Sequence, residues 1–271
     1  MSELLLGKQA KYDSKYNPDL LFPIPRSKNR EKLPKELIFH GVDIWNCYEA
    51  SWLNQKSKPE VRILELYIDA DSPNIVESKS LKLYLNSLNN EKFDSDIEVL
   101  ALIKKDLQNA TGISVEAIFK TMDNFKGADL GVFDGISIDD IDIECLAEEP
   151  SKDLLEIDES KEVEEILCSD LLKSNCLITH QPDWASIKIS YKGPKINRSS
   201  LLQYIVSFRN HNEFHEDCVE TIYSDLITSC KCEKLTVYAR YTRRGGIDIN
   251  PLRSSEKIIG DKEINIRMPR Q

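Results

Sequence analysis

The chain has 271 residues, of which 41% are hydrophobic, and its formal net charge at pH 7 is −10. These values are typical of a soluble globular protein with enough apolar material for one large core or two small ones. The sequence contains no run of about 18 apolar residues that could cross a membrane. The negative charge argues against a protein that binds nucleic acid through a broad basic face.

The seven cysteines indicate a reducing compartment. Their number is odd, their spacing is irregular, and residues 1–7 lack the basic start and long apolar stretch of a secretion signal. We therefore expect free thiols in a cytoplasmic protein. The one close pair, Cys230 and Cys232, has no second pair at zinc-finger spacing. We interpret it as structural and predict no metal site.

The N-terminal half begins with an arm and continues into strands. Residues 1–36 contain four prolines and no sustained hydrophobic period, which predicts an extended arm over a surface. The segment 39–45 is interpreted as a turn that leads into a strand. Residues 61–68 are β-rich and roughly alternate between apolar and polar, which predicts a second strand.

Two helices are predicted next, because apolar residues recur at helical spacing. The first has Ser78 or Ser80 as its predicted N-cap, and its apolar residues are Leu81, Tyr84, Leu85 and Leu88. The apolar residues of the second are Ile97, Leu100, Ala101 and Leu107. Thr111–Gly112 is predicted to end the second helix. Residues 113–119 and the Ile-rich stretch 135–144 are predicted to be the last strands of this half.

The second half repeats this plan. The segment 80–87 matches 200–207, because the serines, the first leucine and the tyrosine align at one constant offset. Residues 185–191 and 235–241 are predicted strands on either side of the second helix pair. The second helix of this pair has a predicted apolar face of Val219, Ile222, Tyr223 and Leu226. Each half is therefore predicted as β-β-α-α-β-β. Chance similarity is the alternative, since few identities support the match.

We predict an α+β protein with two modules. An acidic stretch, residues 148–166, separates them and is interpreted as a solvated linker, with a partner-binding tract as the alternative. The predicted parts are the arm (1–36), the N-terminal module (37–147), the linker (148–166) and the C-terminal catalytic module (167–271).

Cys176 and Asp183 are seven positions apart, across a proline-containing turn between two short apolar runs. A thiolate is a strong nucleophile. A nearby aspartate can take the thiol proton and later return a proton to a nitrogen that gains charge. The alternative is a structural cysteine, a small buried hydrophobic residue at the end of a strand.

Three more motifs combine charge with a helix start or a turn. In 214–216 the glutamate could accept hydrogen bonds from a ring N–H and an exocyclic amine, with the histidine beside the reacting group; the alternative is a surface helix cap. In 76–82 the glutamate could contact a substrate and the lysines an anionic cofactor, or the motif could simply cap a helix. In 243–246 two arginines and two glycines suit a phosphate, or form a solvated hairpin. No G-x-G-x-x-G motif follows a strand, so a Rossmann dinucleotide site is not predicted.

Taken together, these motifs resemble those of the long, two-module NADPH-dependent 7-cyano-7-deazaguanine reductases, the nitrile reductases of queuosine biosynthesis. The segments that carry the resemblance are 77–84, 176–183, 207–216 and 241–246. The resemblance covers nearly the whole chain and is weakest in the acidic stretch. It implies tandem tunnelling-fold (T-fold) modules, each a four-stranded antiparallel sheet with two helices between its second and third strands. The predicted β-β-α-α-β-β order agrees with this fold.

The resemblance implies that Cys176 attacks the nitrile carbon of 7-cyano-7-deazaguanine to form a covalent thioimide, while Asp183 handles protons. Two hydrides from two NADPH molecules then give the primary amine, 7-aminomethyl-7-deazaguanine. Glu77 and Glu216 would hold the deazapurine, with His215 at the reacting carbon. The implied substrate residues are Val76, Glu77, Ser78, His215 and Glu216, and the implied NADPH residues are Ser78, Lys79, Arg244 and Gly245.

The resemblance also implies a homodimer that acts on the free base, without direct contact with nucleic acid or a membrane. Two alternatives remain open. A zinc-dependent cyclohydrolase on the same fold needs a Cys/His metal set, which no spacing here supplies convincingly. A non-catalytic purine- or pterin-binding module would keep Glu216 but gives no reason for Cys176 together with Asp183.

Overall fold

The computed structural model describes residues 15–145, 147–257 and 265–271. The chain forms two compact units, each built from separate stretches of sequence. The first unit takes its described residues from 1–30, 43–129 and 243–248, and the second takes its described residues from 31–42, 130–242 and 249–271.

Helices and strands both occur throughout the described residues, and the predicted α+β class is confirmed. The helices are α1 (Arg26–Arg30), α2 (Ser78–Ser87), α3 (Asp96–Thr111), α4 (Arg198–Ser207) and α5 (His215–Ser229). The strands are β1 (Pro23–Pro25), β2 (His40–Leu53), β3 (Pro59–Asp69), β4 (Asn74–Val76), β5 (Glu116–Lys120), β6 (Ile136–Ser137), β7 (Ile157–Asn175), β8 (Pro182–Ile196), β9 (Lys234–Tyr241) and β10 (Ile247–Ser254). None of the described helices has both the length and the apolar character that a membrane crossing requires.

The first unit contains a sheet in which β5, β3, β2 and the start of β10 are neighbours in that order. β3 and β5 run antiparallel, with Leu64 opposite Phe119. β1 and β4 form a separate antiparallel pair. Trp45 and Trp52 on β2 are almost fully buried, so this strand contributes large side chains to the core of the unit.

The ends of the helices in this unit were predicted only in part. The N-cap of α2 is Glu77, whose carboxylate accepts hydrogen bonds from the N–H groups of Lys79 (2.9 Å) and Ser80 (2.7 Å). The prediction of a serine cap at position 78 or 80 was therefore wrong. The predicted end of α3 is confirmed, because Gly112 is its C-cap with φ 81°, a left-handed conformation that glycine adopts without strain.

The buried face of α3 differs from the predicted one. Val99, Ile103 and Leu107 are completely buried, whereas Ile97 is 80% exposed and Ala101 is also exposed. Residues four positions apart share one face of a helix, and a residue two positions earlier points away from it. The apolar pattern allowed both faces, and packing in the folded unit selected the one that contains Val99.

The second unit contains a sheet with the strand order β10, β9, β8, β7, β6. β7 and β8 form a long antiparallel ladder, from the Ile157–Ile196 pair to the Asn175–Pro182 pair. Two helices, α4 and α5, lie between β8 and β9 in the sequence, so this half has the predicted order of elements. The predicted apolar face of α5 is confirmed, and its fully buried residues include Val219, Ile222, Tyr223 and Leu226.

The Ile-rich stretch forms much less strand than predicted. Of this stretch, Ile136–Ser137 forms the short strand β6, which pairs in parallel with β7. The chain then turns at Asp139–Asp140, where the Asp139 carboxylate accepts hydrogen bonds from Ser169 Oγ (2.6 Å) and the Asp170 N–H (2.8 Å). The strand predicted from alternating apolar and acidic residues is therefore wrong for most of this stretch, because the Asp139 side chain binds the neighbouring strand instead.

The acidic stretch 148–166 is not a linker throughout. Its second part belongs to β7, which begins at Ile157, so the solvated-linker prediction is wrong for these residues. Most of the acidic side chains there are exposed or half-buried, where carboxylates keep their contact with water. Several of them are paired: Glu165, for example, accepts hydrogen bonds from the Tyr191 hydroxyl (2.6 Å) and the Arg198 guanidinium (2.7 Å).

The two halves share hydrogen bonds that support an internal repeat. Ser80 Oγ accepts from the Phe22 N–H, and Ser200 Oγ accepts from the Glu156 N–H, both at 3.0 Å. Phe22 and Glu156 each follow a short 3-10 turn, and these turns are Pro18–Leu20 and Lys152–Leu154. Part of the predicted arm and part of the predicted linker are therefore equivalent elements beside equivalent helices. The prediction of an extended arm is wrong for this turn, and residues 1–14 lie outside the described part of the chain.

A tyrosine–aspartate pair also recurs at the same place in each half. The Tyr84 hydroxyl donates to Asp106 and the Tyr204 hydroxyl donates to Asp225, both at 2.7 Å. Burial raises the pKa of Asp225 above its ordinary value, although the hydrogen bond from Tyr204 acts in the opposite direction.

Asp225→Asn is expected to change how stability depends on pH. Because the folded-state pKa of Asp225 is above the unfolded value of about 3.9, the folded state holds this proton more tightly. The resulting stabilisation is present below about pH 3.9 and is lost as the pH rises through the folded pKa. The free energy of unfolding of the wild type relative to Asp225→Asn should therefore fall from about pH 4 to pH 7, measured by urea unfolding.

Asp158→Asn is the control for this experiment. Asp158 is exposed, and its pKa is lowered to about 2 by the hydrogen bond from Lys161, so its carboxyl group stays ionised between pH 4 and 7. The free energy of unfolding of the wild type relative to Asp158→Asn is therefore not expected to fall over this pH range. A constant difference between Asp225→Asn and the wild type across this range would contradict the prediction.

A buried ion pair connects α5 with β10. The Arg253 guanidinium, which is completely buried, donates through Nε (3.0 Å) and Nη2 (2.8 Å) to Glu220 Oε1. Glu220→Ala is expected to lower the free energy of unfolding by about 3–5 kcal/mol, because it leaves a buried guanidinium without its carboxylate. Glu233→Ala, which removes an exposed ion pair with Lys192, should cost less than about 1 kcal/mol. Equal midpoints in a denaturant titration of the two variants would refute this assignment.

Candidate functional site

Cys176 directly follows β7, at the start of the turn that joins β7 to β8. Ser174 on β7 is opposite Asp183 on β8, and the Cys176 N–H donates to the Gln181 carbonyl at 2.8 Å, which continues the strand pairing. Because side chains alternate between the faces of a sheet, positions 174 and 176 share the face on which Asp183 lies. Cys176 and Asp183 are both buried. The hairpin therefore places the predicted nucleophile and the predicted proton carrier on one face.

His215, the first residue of α5, lies next to Asp183. Its Nε2 is 3.3 Å from Asp183 Oδ2, and its ring packs against Tyr241 with the ring centroids 4.0 Å apart. The segment before α5 is tied to Asn175 by two backbone hydrogen bonds of 2.8 and 3.0 Å. These bonds link the start of α5 to the end of β7. The structure thus brings Asp183 and His215, two of the three predicted catalytic residues, next to each other. The third, Cys176, directly follows Asn175, the residue that binds the segment before α5.

Glu216 lies in the first turn of α5 and is 3% exposed. The alternative of a surface helix cap is therefore wrong for this residue. The N-cap is Phe214, which has no side chain that can accept from the helix. A carboxylate in the first turn is stabilised by the free N–H groups and the dipole of the helix. The position thus favours an ionised Glu216 inside the protein, as an acceptor for a polar ligand.

Two neighbours of the site keep their protons at neutral pH. Burial raises the pKa of the Cys218 thiol to about 12 and holds the pKa of the Tyr241 hydroxyl well above its ordinary value. Both groups are therefore neutral beside His215. Cys230 and Cys232 are also buried, and burial raises the pKa of each to about 12. That is consistent with the structural role predicted for this pair.

Lys173 supplies positive charge near the hairpin. Its amine donates to Asn175 Oδ1 at 2.7 Å and to the Arg209 carbonyl. Partial burial and the Arg209 charge lower the pKa of Lys173, while the Asp183 charge acts to raise it. The lysine and Asp183 therefore interact electrostatically. Lys173 was not among the predicted site residues, because no motif distinguishes it from other strand lysines.

The predicted cofactor residues lie in the first unit, where Lys79 and Gly245 line one cavity of about 380 Å³. Lys82 extends the positive wall one helical turn further. Gly245 and Gly246 have φ values of 59° and 80°, and a Cβ on Gly245 would lie 2.9 Å from Lys82 Nζ. Gly245 therefore allows the turn to approach Lys82 closely, whereas a Cβ on Gly246 would lie 3.5 Å from Glu49 Cγ. The Arg244 N–H donates to the Ile247 carbonyl at 2.9 Å and closes that turn.

The other predicted first-unit residues are found at the start of α2. Val76 on β4 and Glu77 are 2% and 5% exposed, and Ser78 is the first residue of the helix. The Glu77 carboxylate caps this helix, as described above, so the capping alternative is correct for its backbone contacts. Each carboxylate oxygen keeps a further lone pair, and capping therefore leaves room for a ligand hydrogen bond.

Comparisons with known proteins were made for the whole chain. The family model described as "Nitrile reductase, 7-cyano-7-deazaguanine-reductase N-term" matches residues 12–119, and the one described as "QueF-like protein" matches residues 182–259. The chain belongs to the 7-cyano-7-deazaguanine reductase family. Val76, Glu77 and Ser78, the predicted substrate residues at the start of α2, lie within the first match. Asp183, His215 and Glu216 lie within the second, and Cys176 falls between the two.

Curated relatives match over nearly their full length. The chain is 51% identical over 270 residues to an NADPH-dependent 7-cyano-7-deazaguanine reductase of Legionella pneumophila (strain Paris), covering 98% of this chain and 94% of the relative. It is 49% identical over 277 residues to the reductase of Polaromonas naphthalenivorans, with 98% and 97% covered. It is 51% identical over 255 residues to that of Cupriavidus necator, with 92% of each covered.

Among the described residues, no group of three or more His, Cys, Asp and Glu side chains is arranged to hold a metal. Sequence reasoning did not identify Tyr241 as a neighbour of His215, although Tyr241 immediately precedes the Arg-Gly turn motif. It also missed Cys218, whose position three residues after His215 on α5 indicates the same side of the helix.

Proposed function

We propose that this protein reduces the nitrile of 7-cyano-7-deazaguanine to the aminomethyl group of 7-aminomethyl-7-deazaguanine, at the expense of two NADPH, in queuosine biosynthesis. The family and the reaction named for its relatives support this proposal, since the relatives match nearly the whole chain. The observation that carries it is the placement of buried Cys176 and Asp183 on one hairpin face, with His215 3.3 Å from Asp183. Each nitrile takes up four electrons and four protons, which correspond to two hydrides and two protons from the site.

In this mechanism the Cys176 thiolate adds to the nitrile carbon, and the nitrile nitrogen takes a proton to give a thioimide. An unperturbed thiol has a pKa of about 8.5 and is ionised to only a few per cent at neutral pH, so a nearby base accelerates the attack. Asp183 accepts the thiol proton and passes one to the nitrogen. Once a first hydride had been added to the thioimide carbon, the C–S bond would break, Cys176 would leave as the thiolate, and the remaining imine would take the second hydride and a second proton. His215, in contact with Asp183, holds the carboxylate in place and shares its protons.

Glu216 is proposed to bind the ring N–H and the exocyclic amine of the base, which are paired donors that suit one carboxylate. Its buried position in the first turn of α5 supports this role, because the dipole of the helix favours a carboxylate acceptor there. Val76, Glu77 and Ser78 are proposed as further substrate residues on the strength of the family resemblance.

NADPH would supply the hydrides. The first-unit cavity fits part of such a cofactor, because it combines two lysines with a glycine turn that lets phosphate oxygens approach the backbone. Ser78, Lys79, Arg244 and Gly245 are the residues proposed to hold it, and Lys82 is added from the cavity. The lysines neutralise phosphate charge, and Gly245 and Gly246 add no side chains of their own to the wall of the cavity.

We also propose that each of the two compact units is a tunnelling-fold module, and that the enzyme works as a cytoplasmic homodimer on the free base. The recurring helix caps and Tyr–Asp pairs support the duplication. The net charge of −10 supports action on a free base rather than on tRNA.

The proposal is tested by mixing purified protein with 7-cyano-7-deazaguanine in the absence of NADPH. Wild-type protein should give a new absorbance band at the red edge of the substrate spectrum, from the thioimide. Cys176→Ala should bind the base without this band. A wild-type protein that binds the base and forms no adduct would instead indicate a non-catalytic binding module.

A further inference from the structure

The cofactor cavity of the first unit has a second, uncharged end. Beyond Lys79 and Lys82, its wall includes Asn86 and Asn89, while the acidic Glu49 lies beside Gly246 of the glycine turn. These four residues follow one another at intervals of three, four and three, which places them along a single face of α2 and the turn after it. Lys79 precedes Asn86 by about two helical turns, roughly 10 Å. The cavity is thus cationic at one end and amide-lined at the other.

The two amides are joined in a way that leaves one donor and one acceptor. Asn89 Nδ2 donates to Asn86 Oδ1 at 2.8 Å, so Asn86 Nδ2 and Asn89 Oδ1 are not used by this bond. Asn89 Oδ1 is buried and has no hydrogen-bond partner within the described residues, which is costly for a polar atom. If both amides were rotated by 180°, the pair would still present one donor and one acceptor.

One donor beside one acceptor is the pattern that an adenine edge complements. The exocyclic amine of adenine donates and the adjacent ring nitrogen accepts, and asparagine amides are suited to this pairing. In an adenine nucleotide the base and the phosphates lie at opposite ends, as the amides and lysines do here. We propose that Asn86 and Asn89 bind the adenine edge of the dinucleotide while Lys79 and Lys82 bind its phosphates. This inference rests on the proposed NADPH dependence.

The experiment compares two ligands that differ only at the purine. NADP⁺ and its hypoxanthine analogue have the same phosphates, riboses and nicotinamide, but the analogue has a carbonyl in place of the exocyclic amine. Calorimetric titration of the wild-type protein should show that NADP⁺ binds about 10-fold more tightly, since a matched base contact gives roughly 5- to 150-fold discrimination. Asn86→Ala and Asn89→Ala should reduce this ratio to within about 2-fold, mainly through weaker NADP⁺ binding.

Three further variants make the result specific. Asn86→Asp keeps the acceptor for Asn89 Nδ2 and removes the donor, so it should also abolish the ratio without enlarging the cavity. Asn90→Ala, at the exposed next position, should leave both the affinity and the ratio unchanged. Lys82→Ala should weaken both ligands by the same factor and leave the ratio intact.

The outcomes separate the two levels of the proposal. If Lys82→Ala weakens both ligands while the Asn86 and Asn89 variants keep the wild-type ratio, the adenine assignment is wrong and the cofactor cavity stands. A wild type that prefers the hypoxanthine analogue, or treats both ligands equally, also overturns the assignment. If the wild type binds neither ligand, the adenine assignment and the proposed NADPH dependence both fail.

Discussion

Cys176→Ala is expected to abolish nitrile reduction and to leave binding of 7-cyano-7-deazaguanine largely intact. Removing the nucleophile of a covalent mechanism costs about 10³-fold or more in turnover. The base itself is held by other groups, of which Glu216 is the proposed carboxylate. Turnover is measured from NADPH consumption and binding by calorimetry. Turnover near the wild-type rate would remove Cys176 from the mechanism.

Cys168→Ala is the matched control for this loss. Cys168 lies on the same strand, β7, and is half-buried, and burial raises the pKa of its thiol to about 11. Its thiol is therefore protonated at neutral pH, and it lines a different cavity of the second unit. We expect this variant to form the adduct and to turn over as the wild type does.

Asp183→Asn should slow the reaction by about 10²- to 10⁴-fold, the range for loss of a positioned acid–base group. The amide has nearly the same shape, so Cys176 and His215 keep their places, but it neither accepts the thiol proton nor returns it to nitrogen. Single-turnover experiments should show slower adduct formation, slower reduction or both. Asp170→Asn, an exposed aspartate on β7, is the control. If Asp183→Asn matched the wild type in both steps, the role assigned to this carboxylate would be untenable.

The repeat accounts for the presence of the two cavity lysines in only one half. At the constant offset that aligns Tyr84 with Tyr204, Lys79 corresponds to Ser199 and Lys82 to Leu202. The helix caps and the serine bonds are kept in both halves, because they stabilise the helix itself. The charged positions on the helix face differ. We infer that one half retained the cationic face while the other acquired the Cys176 hairpin.

Much of the fold could be predicted from the sequence because local patterns determine it. The alternating segment 61–68, the apolar face of α5 and the Gly112 helix end each depend on residues close together in the chain. The spacing of Cys176 and Asp183 across a turn could also be read from the sequence, whereas the register of the β7–β8 hairpin puts them on one face. The resemblance to the nitrile reductases rested on such local motifs and was confirmed by the family matches.

Other features were decided by tertiary structure. The acidic residues after Ile157 join β7 because β8 supplies a partner strand, and backbone pairing outweighs the weak preference of acidic residues for a solvated loop. The face of α3 that is buried depends on the shape of the core, since its pattern allowed two. His215 reaches Asp183 because the segment before α5 binds Asn175. The sequence alone indicated the candidate residues for the chemistry, whereas contacts between distant segments decided which of them meet, since such contacts form only when the chain has folded.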